Sequence, residues 1–166
     1  MTAKQKARLA EEKAERDVLA EREAALAKQL EEMRMRKRKL VDPLQYALSI
    51  AAEDLTSYVP SFAWEMAPPS EKQLAFLERR GIFPESVSNA GLASLLIDRL
   101  KRRQDEGLAT PKQIRCLERY GFRQVGTWRF EDANNMISML ANNRWRVPYG
   151  LNPDRYTPIR KETIYG

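Results

Sequence analysis

The sequence predicts an all-α protein, a long N-terminal helix followed by a compact bundle of two tandem helical hairpins. Two observations lead there. Residues 2–40 contain no Gly or Pro and consist mostly of Ala, Glu, Lys, Arg, Leu and Gln, which favour the helix locally. Further on, "PSEKQLAFLERRGI" at residues 69–82 returns as "ATPKQIRCLERYGF" at residues 109–122, so that 70–82 and 110–122 share six identities in thirteen positions at an offset of 40. The match continues with Ala93, Ile97 and Leu100 against Ala133, Ile137 and Leu140, so a whole unit of about 40 residues is duplicated.

Taken in order, the chain divides into residues 1–41, 42–69, 70–146 and 147–166. In the first part Leu19, Leu26, Met33 and Leu40 stand seven residues apart, but their companions Arg16, Glu23, Leu30 and Lys37 are mostly charged. The coiled-coil seam is therefore half written, and the helix reads as solvated, weakly coiled or docked on a partner. It ends in "RMRKRK", five cations in six positions (34–39), where positive charge suits a helix C-terminus. Arg36, Lys37, Arg38 and Lys39 are also candidates for phosphate contacts.

Composition then changes abruptly, with no Lys or Arg from Val41 to Glu71. Asp42-Pro43 reads as an N-cap and first helical residue, and Leu44, Ala47, Leu48 and Ala51 follow helical spacing, which predicts a short helix to about Leu55. "YVPSFAWEMAPPS" (58–70) holds three prolines with Tyr58, Phe62 and Trp64. It predicts an extended strap packed on the following domain, or a partner-docking segment if left exposed.

Each repeat has its own grammar. Ser70 or Thr110 with Gln73 or Gln113 three residues on forms a capping box, and Pro111 suits the first helical position. Leu74 and Leu77, matched by Ile114 and Leu117, make the inward stripe, and Gly81 and Gly121 fit a left-handed C-terminal stop. A second helix is expected at about 88–103 with Leu92, Leu95, Leu96 and Leu100 inward, and at about 130–143 with Ala133, Met136, Ile137 and Leu140 inward. The tail from residue 147, rich in Pro, Gly and Tyr, should lie over the surface or be loose.

A formal charge of +6 and an isoelectric point near 9.5 favour an acidic partner. Capping, core and stop account for Gln, Leu and Gly, but not for Lys72, Arg79, Arg80, Lys112 and Arg119. Lys112, Arg115 and Arg119 lie at i, i+3 and i+7, which predicts one basic helix face. Arg123, Arg129, Arg144 and Arg146 follow, interleaved with Trp128 and Trp145, and cations mixed with aromatics suit a sugar-phosphate backbone with stacked bases. The bland alternative is a solvated basic face with tryptophans in the core.

Other chemistry is thinly supplied. Cys116 is the sole cysteine and histidine is absent, which removes an intrachain disulfide, a Cys/His zinc site and a His-dependent triad. Asp98, Asp105, Glu106, Glu131 and Asp132 read as carboxylates that solvate or pair on Arg-rich helices. No enzyme, cofactor or metal is expected. The charged N-terminal segment is unlike a signal peptide, no run is long and apolar enough for a membrane span, and the expected location is the cytoplasm.

The doubled Ser/Thr-x-Lys-Gln-x-x-x-Leu-Glu-Arg-x-Gly pattern, followed by "WRFEDANNMISML" and "NNRW", resembles the C-terminal region of a group of bacterial and phage-associated DEAD/DEAH-box helicases. The charged N-terminal helix and the Asp-Pro step look similar as well, and the resemblance spans roughly residues 10–158. It implies a domain that accompanies a nucleic-acid motor and engages DNA or a partner, with no catalytic residues to carry over. The chain departs from that family in lacking a G-x-x-x-x-G-K-S/T loop and an Asp-Glu-Ala-Asp or Asp-Glu-Ala-His box, so hydrolysing ATP alone is not expected of it. The expected function is a non-catalytic nucleic-acid-binding accessory module or subunit of a helicase-containing complex, with DNA favoured over RNA. The alternatives are a helical small subunit present in several copies in a bacterial antiviral or other nucleoprotein complex, and a pure protein-interaction adaptor.

Overall fold

In the computed structural model, which describes residues 1–159, the regular elements are helical, as the sequence predicts. The chain forms two units, residues 1–39 and residues from 40 onward. The first is a single helix, α1 (Ala3–Lys39), of 37 residues with none buried. Leu19, Leu26 and Leu30 are exposed along it, and Arg36, Lys37, Arg38 and Lys39 make its last turn.

The second unit begins with Leu40 and Val41, both buried, ahead of α2 (Pro43–Ser49). Asp42 caps this helix by accepting the Gln45 N–H at 3.0 Å. The expected helix to Leu55 is interrupted. Ala51 adopts a left-handed φ of 54°, and the chain restarts in α3 (Glu53–Thr56). The apolar row at helical spacing does not make the inward face. Tyr46, Ala47, Ala52 and Leu55 are buried, whereas Leu44, Leu48 and Ala51 are exposed. A tyrosine ring buries more apolar area than a leucine, and seating it inward turns both leucines to solvent. Arg99 secures α3 through both carboxylate oxygens of Asp54, at 2.9 and 2.8 Å.

The strap differs from the expected extended run by one turn, α4 (Ala63–Met66), in the proline-free stretch between Pro60 and Pro68. Its fold is set by Glu65, which accepts the Tyr58 hydroxyl at 2.6 Å and the Ser61 N–H at 3.0 Å. Those bonds hold the Glu65 carboxyl below its ordinary range, and desolvation, followed by the hydrogen bond and charge of Glu65, pushes the Tyr58 phenol up to about 12. Phe62, Trp64 and Met66 point to solvent.

The duplicated region follows as α5 (Glu71–Arg79), a 3-10 turn (Pro84–Ser86) and α6 (Ala90–Asp105), then α7 (Pro111–Arg119), a second 3-10 turn (Val125–Thr127) and α8 (Phe130–Asn142). Both predicted capping boxes are complete. Each glutamine has a second task. Gln73 Nε2 donates to the Ala90 carbonyl and Gln113 Nε2 to the Phe130 carbonyl, both at 3.3 Å, so the start of each first helix is joined to the start of the second. Gly81 and Gly121, at φ 86° and 91°, end α5 and α7 in the conformation that glycine adopts without a Cβ clash. Leu77, Leu96, Leu100, Ile114, Leu117, Met136 and Leu140 lie in one continuous core with Tyr46 and Val41.

Short backbone pairings close the unit. Val41 donates to the Gly81 carbonyl (2.7 Å) and accepts from Phe83 N–H (2.8 Å), while Ala109 donates to Trp128 (3.0 Å) and Phe130 to Gly107 (2.8 Å). The tail to residue 159 lies over the surface. Val147, Leu151 and Tyr156 pack on the core, and the Tyr156 ring meets Phe122 and Trp128 with centroids 5.8 and 5.5 Å apart. Residues 160–166 of the expected tail lie outside the described residues.

Two glycines permit close approach. A Cβ at Gly126 would stand 2.7 Å from the Ser49 carbonyl oxygen, and one at Gly91 only 1.9 Å from the Tyr58 hydroxyl. The first obstacle is backbone of the core unit, and the second is the Tyr58 and Glu65 side chains of the strap. Gly126→Ala is therefore expected to lower unfolding free energy by roughly 1–3 kcal/mol in urea titrations. Gly91→Ala should chiefly speed proteolysis within residues 58–67, and unchanged cleavage there would show that Gly91 does not seat the strap.

Candidate nucleic-acid interface

The basic residues singled out in the sequence fall into different environments. On α5 and α7, Lys72, Arg79, Lys112 and Arg119 are exposed at equivalent positions of the two repeats. Arg115, expected beside Lys112 and Arg119, is turned inward instead. It is half-buried, its Nη1 donates to the Leu40 carbonyl at 2.6 Å, and desolvation lowers its pKa. A long guanidinium can reach an orphan carbonyl at the edge of the core, so this member of the predicted stripe is a structural tie.

Trp128 also lies elsewhere than the sequence predicts. Its ring is 3% exposed and stands edge-on to Phe122, with centroids 5.6 Å apart, so it fills the core and offers no face to a base. Arg123 is exposed but ion-paired with Asp154 of the tail. Arg129 is exposed at the N-cap position of α8. Arg80 and Arg79 lie over the Phe76 ring with their guanidinium carbons 4.8 and 5.9 Å from its centroid, and Lys101 Nζ approaches the same ring at 5.4 Å.

Beyond α8 the chain turns through Arg144 and Trp145, at φ 58° and 59°, with the Trp145 N–H donating to the Leu140 carbonyl at 2.7 Å. Two successive non-glycine residues in the left-handed region carry local strain of about 1–3 kcal/mol each. The turn leaves Trp145 53% exposed between the exposed Arg144 and Arg146. Arg36, Lys37, Arg38 and Lys39 belong to the α1 unit.

Between the repeats lies a cleft of about 810 Å³. Arg79, Arg80, Lys112 and Arg129 line it with Glu106 and Glu131, and Tyr46 and Arg103 close its inner side. Lys112 is placed there by packing. A Cβ at Gly81 would stand 3.0 Å from Lys112 Cγ and Cε, so the lysine stem crosses the bare glycine at the end of α5. Arg103 Nη2 donates to the carbonyls of Ala109 (3.1 Å) and Gly126 (2.8 Å). Arg103 and Tyr46 are buried beside each other and interact, guanidinium with phenol. Burial pushes the Tyr46 phenol up, an effect that the nearby Arg103 charge partly offsets, and burial likewise lowers Arg103.

Neither Tyr46 nor Arg103 stood out in the sequence, although a signal for Arg103 existed. It continues the buried spacing of Ala93, Leu96 and Leu100 on one face of α6. Asp98, Asp105, Glu106, Glu131 and Asp132 build no metal centre: no cluster of three or more potential Cys, Asp or Glu ligands occurs among the described residues. None of the described helices is long and apolar enough to cross a membrane. Compared with known proteins, the chain matches no family model, no curated protein and no solved structure.

The Tyr46 environment has a pH consequence. Its folded-state pKa is raised above the ordinary 10.0, so its contribution is whole below pH 10 and is lost at higher pH, as the unfolded phenol ionises first. Thermal unfolding between pH 9 and 11 should therefore show an alkaline decline that is shallower in Tyr46→Phe. Identical declines in the two proteins would mean that this phenol does not couple ionisation to folding.

Proposed function

We propose that the chain is a non-catalytic nucleic-acid-binding module whose compact unit contacts phosphates through the basic residues of the repeat. The observation that carries this reading is the equivalence of Lys72 with Lys112 and of Arg79 with Arg119, all four exposed, at positions that neither capping nor the core requires. Trp145 supports it by presenting an exposed indole between two arginines, an arrangement suited to stacking on an unpaired base. Attachment to a helicase-containing complex is the extension of this reading that the motif resemblance suggests. A second reading, self-association in several copies, draws support from α1, whose 37 residues include no buried side chain.

Fluorescence anisotropy with labelled single- and double-stranded DNA tests the leading reading. Three phosphate contacts would lower affinity more than tenfold between 50 and 200 mM salt. A Lys112→Glu, Arg119→Glu double variant should weaken binding by about tenfold or more, whereas Arg115 is left intact because its substitution would disturb the Leu40 tie. Trp145→Ala should weaken single-strand binding by about 1–3 kcal/mol with little effect on duplex. Salt-insensitive affinity, or no binding at low salt, would refute the proposal, and light scattering on the same samples reads the second one.

A further inference from the structure

We propose that the cleft between the two repeats is a binding site for a phosphate monoester, the terminal phosphate of a nucleic-acid strand. The inference refines the reading above and rests on it for the source of the phosphate. It starts from a charge imbalance in a confined space: Arg79, Arg80, Arg103, Lys112 and Arg129 face Glu106 and Glu131 around the same cleft. A volume of about 810 Å³ is in the range of small-molecule sites, about 300–1,000 Å³, and accommodates a nucleotide.

The depth of the charge separates an end group from a backbone diester. Arg103 is only 9% exposed and is fixed by two carbonyls, so its charge lies at the inner wall, nearer to a group that enters the cleft than to a strand crossing the outer surface. A terminal phosphate carries close to two negative charges at neutral pH, against one for a diester, and can enter end-on. Two further features favour an anion. The Leu108–Arg129 pairing sets the starts of α7 and α8 side by side at the cleft, and Pro111 and Phe130, their first residues, line it. The C-terminal end of α5 also reaches the cleft, but Arg79 and Arg80 stand there and Lys112 crosses Gly81, so the local charge is positive.

The inner wall of the cleft is polar as well. Tyr46 and Arg103 meet there, a phenol and a guanidinium that interact with each other. Tyr46 is 1% exposed and Arg103 nine-tenths buried, and both belong to the cleft wall.

The test uses the full chain and three probes: an oligonucleotide with a 5′- or 3′-terminal phosphate, the same strand ending in hydroxyls, and a free nucleoside monophosphate. Anisotropy follows the strands and calorimetry the mononucleotide, with Lys112→Ala and Arg129→Ala compared after circular dichroism confirms folding. At least fivefold tighter binding of a phosphorylated strand, lost in both variants, is the expected result. Equal strand affinities with variant-sensitive mononucleotide binding would support the site and identify a free nucleotide as the source. No phosphate preference and no mononucleotide binding overturns the inference. Salt-sensitive binding of the hydroxyl-ended strand reports separately on the nucleic-acid reading.

Discussion

Arg103 occupies the junction on which the arrangement of the duplicated unit depends. It sits at the end of α6, in the first repeat, and donates to Ala109 in the linker and to Gly126 in the second. Gly126 in turn lies against Ser49 and Ile50 of the α2 region, where a side chain would collide. One guanidinium thus fixes three chain segments at once. Taking such a group out of water is costly, and the cost is met only where fixed acceptors await it. The carbonyls of a linker and a 3-10 turn are such acceptors, because neither is used by a helix ladder. The same choice places the Arg103 side chain and the Tyr46 phenol together at the wall of the cleft.

The duplication supplies a scaffold and then lets its copies diverge where their surroundings differ. Capping boxes, glycine stops and the glutamine links to Ala90 and Phe130 are the same in both repeats. The face around Ala75 and Arg115 is not, since only the second repeat lies against the carbonyl of Leu40. Phe76 gathers cations in the first repeat where Cys116 stands half-buried in the second. Arg103 is replaced by Asn143, whose side chain donates to the Arg146 carbonyl and supports the turn that displays Trp145. Local stability is shared by the copies, and surface chemistry belongs to each separately.

This division explains what was legible in the sequence. Helix starts, stops and the repeat could be read because they depend on residues within one or two turns of each other. The second helices shifted by no more than two residues for the same reason. The interruption at Ala51 could not be read, because a left-handed alanine carries no compositional mark and is imposed by seating Tyr46 and Leu55 in one core. Arg115 looked like a surface cation because its acceptor lies 75 residues earlier in the chain. Trp128 and Trp145 are alike as letters, but one is enclosed by Phe122 and Tyr156 and the other stands 53% exposed in the turn that follows α8.

The tail shows why the basic cleft forms between the repeats and not beyond them. At the end of α5, bare Gly81 is crossed by Lys112 of the next repeat, whereas the equivalent Gly121 faces Pro153, 3.7 Å from where its Cβ would be. A stack of repeats needs something to cover its last member, and here the tail does so with Leu151, Pro153 and Tyr156. Its Asp154 also engages Arg123, so the outer end is closed by apolar and charge-neutralising groups. At the inner junction the covering element is another first helix, which brings Lys112 with it and meets the cations that already counter the C-terminal end of α5. Stacking one copy of a basic helix start on another copy's basic helix end therefore concentrates charge in the groove between them, a direct physical consequence of repeating Lys-Gln and Leu-Glu-Arg at a fixed offset.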